Sequence, residues 1–380
     1  MAADTPVYLD NNATTPLCPE ARESMLPFLG PEFGNPSSVH GFGTRARAAV
    51  AASRERVAAL VGAKASEVVF TSGGTEADAL AILGALEAAG ERRHCVATAV
   101  EHPAVRDLLR RLRDAGRIEL TEVGVARDGR FDPDAVLGAI REGTAFVSVM
   151  WANNETGVLH PVEAIAAGCR AKGVPFHSDA VQAAGKTPVD LRRVPADLLS
   201  LSAHKIHGPK GVGALVVRRG ARWRPPPSAE GHQEGGRRGG TENTPGIAGF
   251  GAAAEAALHA LPEEGRVRAL RDRFEEAVLA AVPGARRAAA EPRTANTALL
   301  LFPGVEGEML ALRLDARGVA VSTGSACTQG KVETSPVLRA MGVPAREARG
   351  ALRVSLSRFT TEEEVERAAA AIVAEAKALL

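Results

Sequence analysis

Ala196-Asp197-Leu198-Leu199-Ser200-Leu201-Ser202-Ala203-His204-Lys205-Ile206-His207-Gly208-Pro209-Lys210-Gly211 joins a mostly apolar run to a polar turn closed by glycine, and a second apolar run follows at 212–217. Upstream, β-like runs at 67–71, 94–99, 117–123, 145–150, 174–179 and 197–201 alternate with helical patterns such as 76–88 and 162–171. Strands that alternate with helices predict an α/β fold, with a mostly parallel sheet covered by helices on both faces. In such sheets ligands bind at the carboxyl ends of the strands, so the turn that carries Lys205 is placed to be functional.

Beyond the glycine-rich stretch 231–249 the pattern changes to long helices with strands at 297–302 and 352–356 and a final helix over 361–380, which predicts a second, smaller domain. Three consecutive prolines at 225–227 read as a stiff connector. With 380 residues, 45% hydrophobic and 24% charged, the chain can bury one large core and a smaller one. A net charge of +1 gives no electrostatic case for nucleic acid or an acidic membrane surface. No signal-peptide pattern or apolar run of about 18 residues is present, so a cytoplasmic protein is expected. Cys18, Cys95, Cys169 and Cys327 are far apart and form no CxxC pair, which argues against a structural zinc site and a disulfide framework. Cys18, Cys95 and Cys169 lie in or beside apolar segments and are expected to be buried and inert.

A lysine in a strand-end turn can condense with an aldehyde, while Ser202 and His204 offer donors to a phosphate. Asp179 closes the run Gly173-Val174-Pro175-Phe176-His177-Ser178-Asp179 and can keep a ring nitrogen protonated, as an electron-sink cofactor requires. Together these demands point to pyridoxal phosphate, with Gln182 placed to donate a hydrogen bond to its phenolic oxygen. Thr71-Ser72-Gly73-Gly74-Thr75 lies between a strand and a helix, where free N–H groups hold anions, so Gly74, Thr75, Ser202 and His204 are read as one phosphate cup.

The segments HSDAVQAAGK (177–186) and SLSAHKIHGPKGVGAL (200–215) resemble those of cysteine desulfurases of the class V aminotransferase superfamily. The likeness continues through YLDNNATTP (8–16), GNPSSVHGFG (34–43), FTSGGTEAD (70–78), AVEHPAV (99–105) and VMWANNETGVLHPV (149–162), so it spans nearly the whole chain. It implies a pyridoxal-phosphate transferase fold of type I, with a seven-stranded sheet in a large domain over residues 15–250. The small α+β domain would then take residues 1–14 and 251–380, with a mobile cysteine loop at about 321–336.

The resemblance also assigns roles. Lys205 is the covalent anchor and base, and His102 stacks on the cofactor ring and assists proton transfer. Asn154 lies near the phenolic oxygen or the substrate carboxylate, and Arg353 offers a planar fork that grips that carboxylate. Thr241 resembles the residue that reaches the phosphate of a neighbouring subunit's cofactor, which implies a homodimer; Glu230 departs from the glycine expected before Gly231. Cys327, in Gly324-Ser325-Ala326-Cys327-Thr328-Gln329-Gly330, sits among small and polar residues, and GSACT resembles the NifS/IscS-type loop that carries sulfur outward as a persulfide. The implied reaction converts L-cysteine to L-alanine and passes sulfur to an iron–sulfur scaffold or other acceptor protein. No intrinsic metal is expected, although Cys327 could ligate a cluster transiently with a scaffold. The competing readings are another lyase or aminotransferase of the same fold, such as a selenocysteine lyase, and a weakly catalytic sulfur-relay subunit.

Overall fold

The computed structural model describes residues 6–323 and 334–380. Seven strands form the main sheet: β1 Val68–Thr71, β2 His94–Thr98, β3 Glu119–Val123, β4 Thr144–Ser148, β5 Phe176–Asp179, β6 Leu198–Ser202 and β7 Gly213–Val217, in the spatial order β1-β7-β6-β5-β4-β2-β3. The pairs β6/β5, β5/β4, β4/β2 and β2/β3 are parallel, and β7 runs antiparallel to both of its neighbours. The mostly parallel sheet predicted from the alternation is therefore present. Five of these strands, β1, β2, β4, β5 and β6, are buried at every position, as a sheet covered on both faces requires.

Two apolar cores flank this sheet, one with Phe70, Val147, Phe176, Leu199 and Phe250 and the other with Val69, Leu80, Leu109, Phe146 and Leu198. Consecutive residues such as Val69 and Phe70 point to opposite faces, as the period of two along a strand demands. Gly213 on β7 lets the loop before the first long helix pass close by, since a Cβ there would lie 2.6 Å from the Gly73 carbonyl carbon.

A separate core gathers Val7, Leu9, Phe274, Phe302, Leu310 and Ile372. It packs against antiparallel strands Thr297–Leu301 and Ala351–Ser355 and the helices Glu264–Ala281 and Glu362–Leu379. The N-terminal strand Val7–Tyr8 joins this unit by pairing in parallel with Val319–Ala320, and Asp10 bridges to Ser355. The seam differs from the expected break at residue 250. Helix Thr244–Ala260 is continuous, and its Phe250, Ala253, Ala254 and Ala257 lie in the first core, packed on helix Gly41–Leu60. Burial of that alanine-rich face carries the first unit about ten residues further along the chain.

Candidate active site

The carboxyl ends of five strands converge on a cavity of about 290 Å³ lined by Gly74, Thr75, His102, Asn154, Asp179, Gln182, Ser202, His204, Lys205 and Arg353. Nearly all the residues read from the sequence as cofactor or substrate ligands thus meet in one place. Asn12, Ala13, Asp78, Met150 and Val181 complete the wall. Thr241 is exposed and lies instead in a separate recess with Thr71, Ser72 and Asn243. Cys327 lies outside the described residues.

Helix Gly74–Glu87 starts where β1 ends, so its first N–H groups and the positive end of its dipole face the cavity. A Cβ on Gly74 would stand 2.9 Å from Val181 Cγ2, so glycine keeps this end open. Ser202 Oγ, at the end of β6, is buried with no hydrogen-bond partner. His204 Nδ1 lies 3.1 Å from Thr14 Oγ1, and burial with nearby lysines draws the imidazole down to about 4, so it is neutral. A helix start, an unpartnered hydroxyl and a neutral imidazole suit a phosphate.

At the other end stand Asp78, His102 and Asp179, with ligand atoms all within 4.8 Å of one another. Both carboxyls are buried and pushed up, Asp78 well up, first by desolvation and then by the Asp179 charge, and Asp179 by desolvation against the pull of His102, the Val181 N–H and Lys205. Asp179 Oδ1 accepts the Val181 N–H at 2.9 Å, whereas Asp78 Oδ1 has no hydrogen-bond partner. The Val181 N–H favours the charge on Asp179, and the larger rise of Asp78, against a hydrogen bond from Ser200, favours the proton there. His102 caps helix Pro103–Asp114 by accepting the Ala104 N–H on Nδ1, which leaves its proton on Nε2, and burial keeps the ring neutral. Below Asp179, His177 is clamped between Ser148 Oγ (2.9 Å) and Ser200 Oγ (3.0 Å) and is held neutral by burial, at about 3.

Lys205 Nζ donates to the carbonyls of Asn12 and Ala13, each at 2.6 Å. Burial, and next the Arg353 charge, draw this amine down to about 8, so about a tenth is free base at pH 7, far more than for an ordinary lysine. Arg353 is buried in strand Ala351–Ser355, with Nη1 on the Asn154 carbonyl (3.1 Å) and Nη2 on Asp10 Oδ1 (2.8 Å). This is a built position and no surface salt bridge. A lysine amine drawn down to about 8, a buried carboxyl and a helix start beside an unpartnered hydroxyl share one cavity, a donor set that fits pyridoxal phosphate.

The class-V aminotransferase pattern matches residues 7–368. The chain belongs to this family. Within it, the chain is 50% identical over 364 residues to a cysteine desulfurase of Gluconacetobacter diazotrophicus, covering 95% of this chain and 91% of that protein. It is 49% identical to cysteine desulfurase NifS of Azotobacter vinelandii, covering 95% and 90%. Among solved structures, a NifS-like protein superposes with a TM-score of 0.90 at 36% identity over 97% of this chain and 99% of that one. A structure described as SspA in complex with cysteine gives 0.81 at 33% identity, over 93% and 99%. The fold of this class-V aminotransferase is thus that of the NifS-like proteins, and its relatives are cysteine desulfurases.

Sequence reasoning missed several groups that shape the cavity. Asp10 and Asn12 sit inside the quoted YLDNNATTP, and Asp78 lies four residues after Gly74, one helical turn on, which brings it to the same face. Cys18, Cys95 and Cys169 are buried and unpaired, and burial pushes Cys95 and Cys169 up to about 12, as expected of inert thiols.

Proposed function

We propose that this chain is a pyridoxal-phosphate-dependent cysteine desulfurase in which Lys205 anchors the cofactor and Cys327 carries the sulfur. The observation that supports this most directly is the Lys205 amine, drawn down to about 8 in the same cavity as buried Asp179 and the unpartnered Ser202 hydroxyl. Gly74, Thr75, Ser202 and His204 would hold the phosphate, Asp179 the ring nitrogen, Gln182 the phenolic oxygen and His102 a ring face. When bound, this cofactor supplies an electron sink next to the substrate Cα.

Arg353 binds the carboxylate of L-cysteine, with Asn154 beside it, and so fixes the Cα position relative to Lys205. The Lys205 free base takes the Cα proton on Nζ, and its hydrogen bonds to the Asn12 and Ala13 carbonyls keep it oriented. Neutral His102, with its proton on Nε2, is a second group that can move a proton in the cavity. The Cys327 thiolate attacks the substrate sulfur: the new S–S bond forms as the Cβ–S bond breaks, and the electron pair goes to carbon, which ends protonated as the methyl of L-alanine. The persulfide on Cys327 then passes sulfur to an acceptor protein, such as an iron–sulfur scaffold, in the cytoplasm. The chain works as a homodimer, in which the exposed Thr241 of one copy reaches the phosphate of the other. Among the described residues no helix is long and apolar enough to cross a membrane.

Alanine and sulfide release from L-cysteine with a reductant, measured on cofactor-loaded wild type and Cys327→Ser, tests the reading. Equimolar products from the wild type alone, with the cofactor's visible absorbance kept in both, is the expected result. Substantial sulfide release by the variant would overturn the role of Cys327.

A further inference from the structure

Lys186 stands behind the wall of the cofactor cavity, lining a second cavity of about 60 Å³ on the far side of Lys205. Its amine donates to Gln182 Oε1 at 2.5 Å and to Asn12 Oδ1 at 3.1 Å. Gln182 Nε2 donates to the Asn12 carbonyl at 2.9 Å, the same oxygen that receives the Lys205 amine at 2.6 Å.

Asn12 itself is a hub between the two cores. Its Oδ1 also accepts Asn296 Nδ2 (3.0 Å), and its Nδ2 donates to Thr297 Oγ1 (2.9 Å) and the Asn154 carbonyl (3.2 Å). Its backbone N–H donates to Ser355 Oγ at 2.9 Å. The hydrogen-bonding atoms of this buried residue are all engaged, so a buried network of this kind holds one arrangement.

The two ends of a glutamine amide have nearly the same shape and opposite polarity, so only the neighbours decide which end faces a ligand. Here Lys186 at one end and the Asn12 carbonyl at the other make the choice. The amine meets two acceptors and donates to both, so it holds the Gln182 oxygen, while the Asn12 carbonyl holds one N–H of the NH2 group and leaves the other to donate. Burial first, and then Lys205 and Arg353, draw the Lys186 ammonium well down. A neutral amine still has two N–H donors for these two oxygens.

We propose that Lys186 is a positioning residue that fixes the polarity of the Gln182 amide towards the cofactor and, through Asn12, holds the acceptor of the Lys205 amine. This rests on the reading of Gln182 as donor to the cofactor's phenolic oxygen. A merely structural lysine would leave the ionisation of that oxygen unchanged, whereas an amide free to turn its oxygen inward would disfavour the ionised form.

The experiment is a pH titration of the visible absorbance of the cofactor-loaded, substrate-free enzyme, in wild type, Lys186→Met, Gln182→Leu and the double variant. Lys186→Met should raise the midpoint by about one pH unit, the scale of one hydrogen bond to a charged group. Gln182→Leu should raise it too, and Lys186→Met should add nothing further in that background. Asp10, Asp78, Asp179, His102, His204, Lys205 and Arg353, the charged and titratable groups around the cavity, are unchanged in all four proteins. A midpoint that moves in Gln182→Leu but not in Lys186→Met overturns the role of Lys186 alone. One that is unmoved in Gln182→Leu overturns the reading of Gln182 and this inference with it, and equal shifts by Lys186→Met in both backgrounds overturn the route through Gln182. Should Lys186→Met fail to fold, Lys186→Leu enters the same cycle under the same criteria.

Discussion

Replacing Asp78 by asparagine tests the charge assignment in the cavity. Its carboxyl and that of Asp179 have oxygens within 4.8 Å, so ionising both would cost at least about 3.5 kcal/mol at an effective dielectric of about 20. That repulsion favours a single charge on the pair, and the Val181 N–H favours Asp179 as its holder. Asparagine at 78 therefore mimics the native neutral acid, whereas asparagine at 179 removes the charge that a protonated ring nitrogen needs. Alanine formation from L-cysteine should fall less than about tenfold in Asp78→Asn and at least about a hundredfold in Asp179→Asn, a gap of about 1.4 kcal/mol or more in barrier. Stability gives an independent sign. Asp78 is pushed up in the folded protein, so the folded state holds a proton that the unfolded chain has lost above its ordinary value of about 4. Wild-type stability is then drained as pH rises, and asparagine escapes the drain. Melting of the cofactor-free proteins should show the stability of Asp78→Asn relative to wild type increasing from pH 5 to 8, by up to about 1.4 kcal/mol per pH unit. Equal inactivity of the two variants, or a stability difference that shrinks with rising pH, would refute the assignment.

The Lys205 amine is drawn down to about 8 and reacts as free base, so covalent capture of pyridoxal phosphate by cofactor-free protein should speed up as pH rises to about 8 and level off above it, as stopped-flow absorbance would show. Arg353→Lys gives up the planar fork between Asn154 and Asp10 and should raise KM for L-cysteine about tenfold or more with cofactor loading unchanged, in steady-state assays. Glu234→Ala breaks the contacts of that buried carboxylate with Arg54 and the Phe70 N–H and should cost about 3 kcal/mol in denaturant unfolding, since it strands a charge and a buried donor.

Lys205 and Asp179 were legible because strand periodicity alone places them at carboxyl ends, where the fold puts its ligands. Arg353 was harder: nothing local in Leu352-Arg353-Val354 says that the fork is buried, and the strand's partner, Thr297–Leu301, lies some fifty residues away. Helix Gly41–Leu60 was not named at all. Its run of alanine and arginine has little amphipathic contrast, and it is held by close packing of small residues against Thr244–Ala260. The same packing moved the seam past residue 250. Lys186 and Asn12 were invisible for another reason: their importance lies in hydrogen bonds between distant segments, which no spacing encodes.

Asn12 donates to Ser355 across 343 residues of chain, and the strand before it pairs with Val319–Ala320. Asn12 is made 343 residues before Ser355, so the segment must wait for its partner. A growing chain can assemble the sheet and present Lys205 long before Asn12 has anything to dock against, and loop closure over such a span is slow. The Lys205 amine thus acquires its final orientation only after Ser355 has been made. Translation products interrupted before Ser355 would carry the lysine without its setting, so the architecture ties the orientation of Lys205 to a strand made long after it.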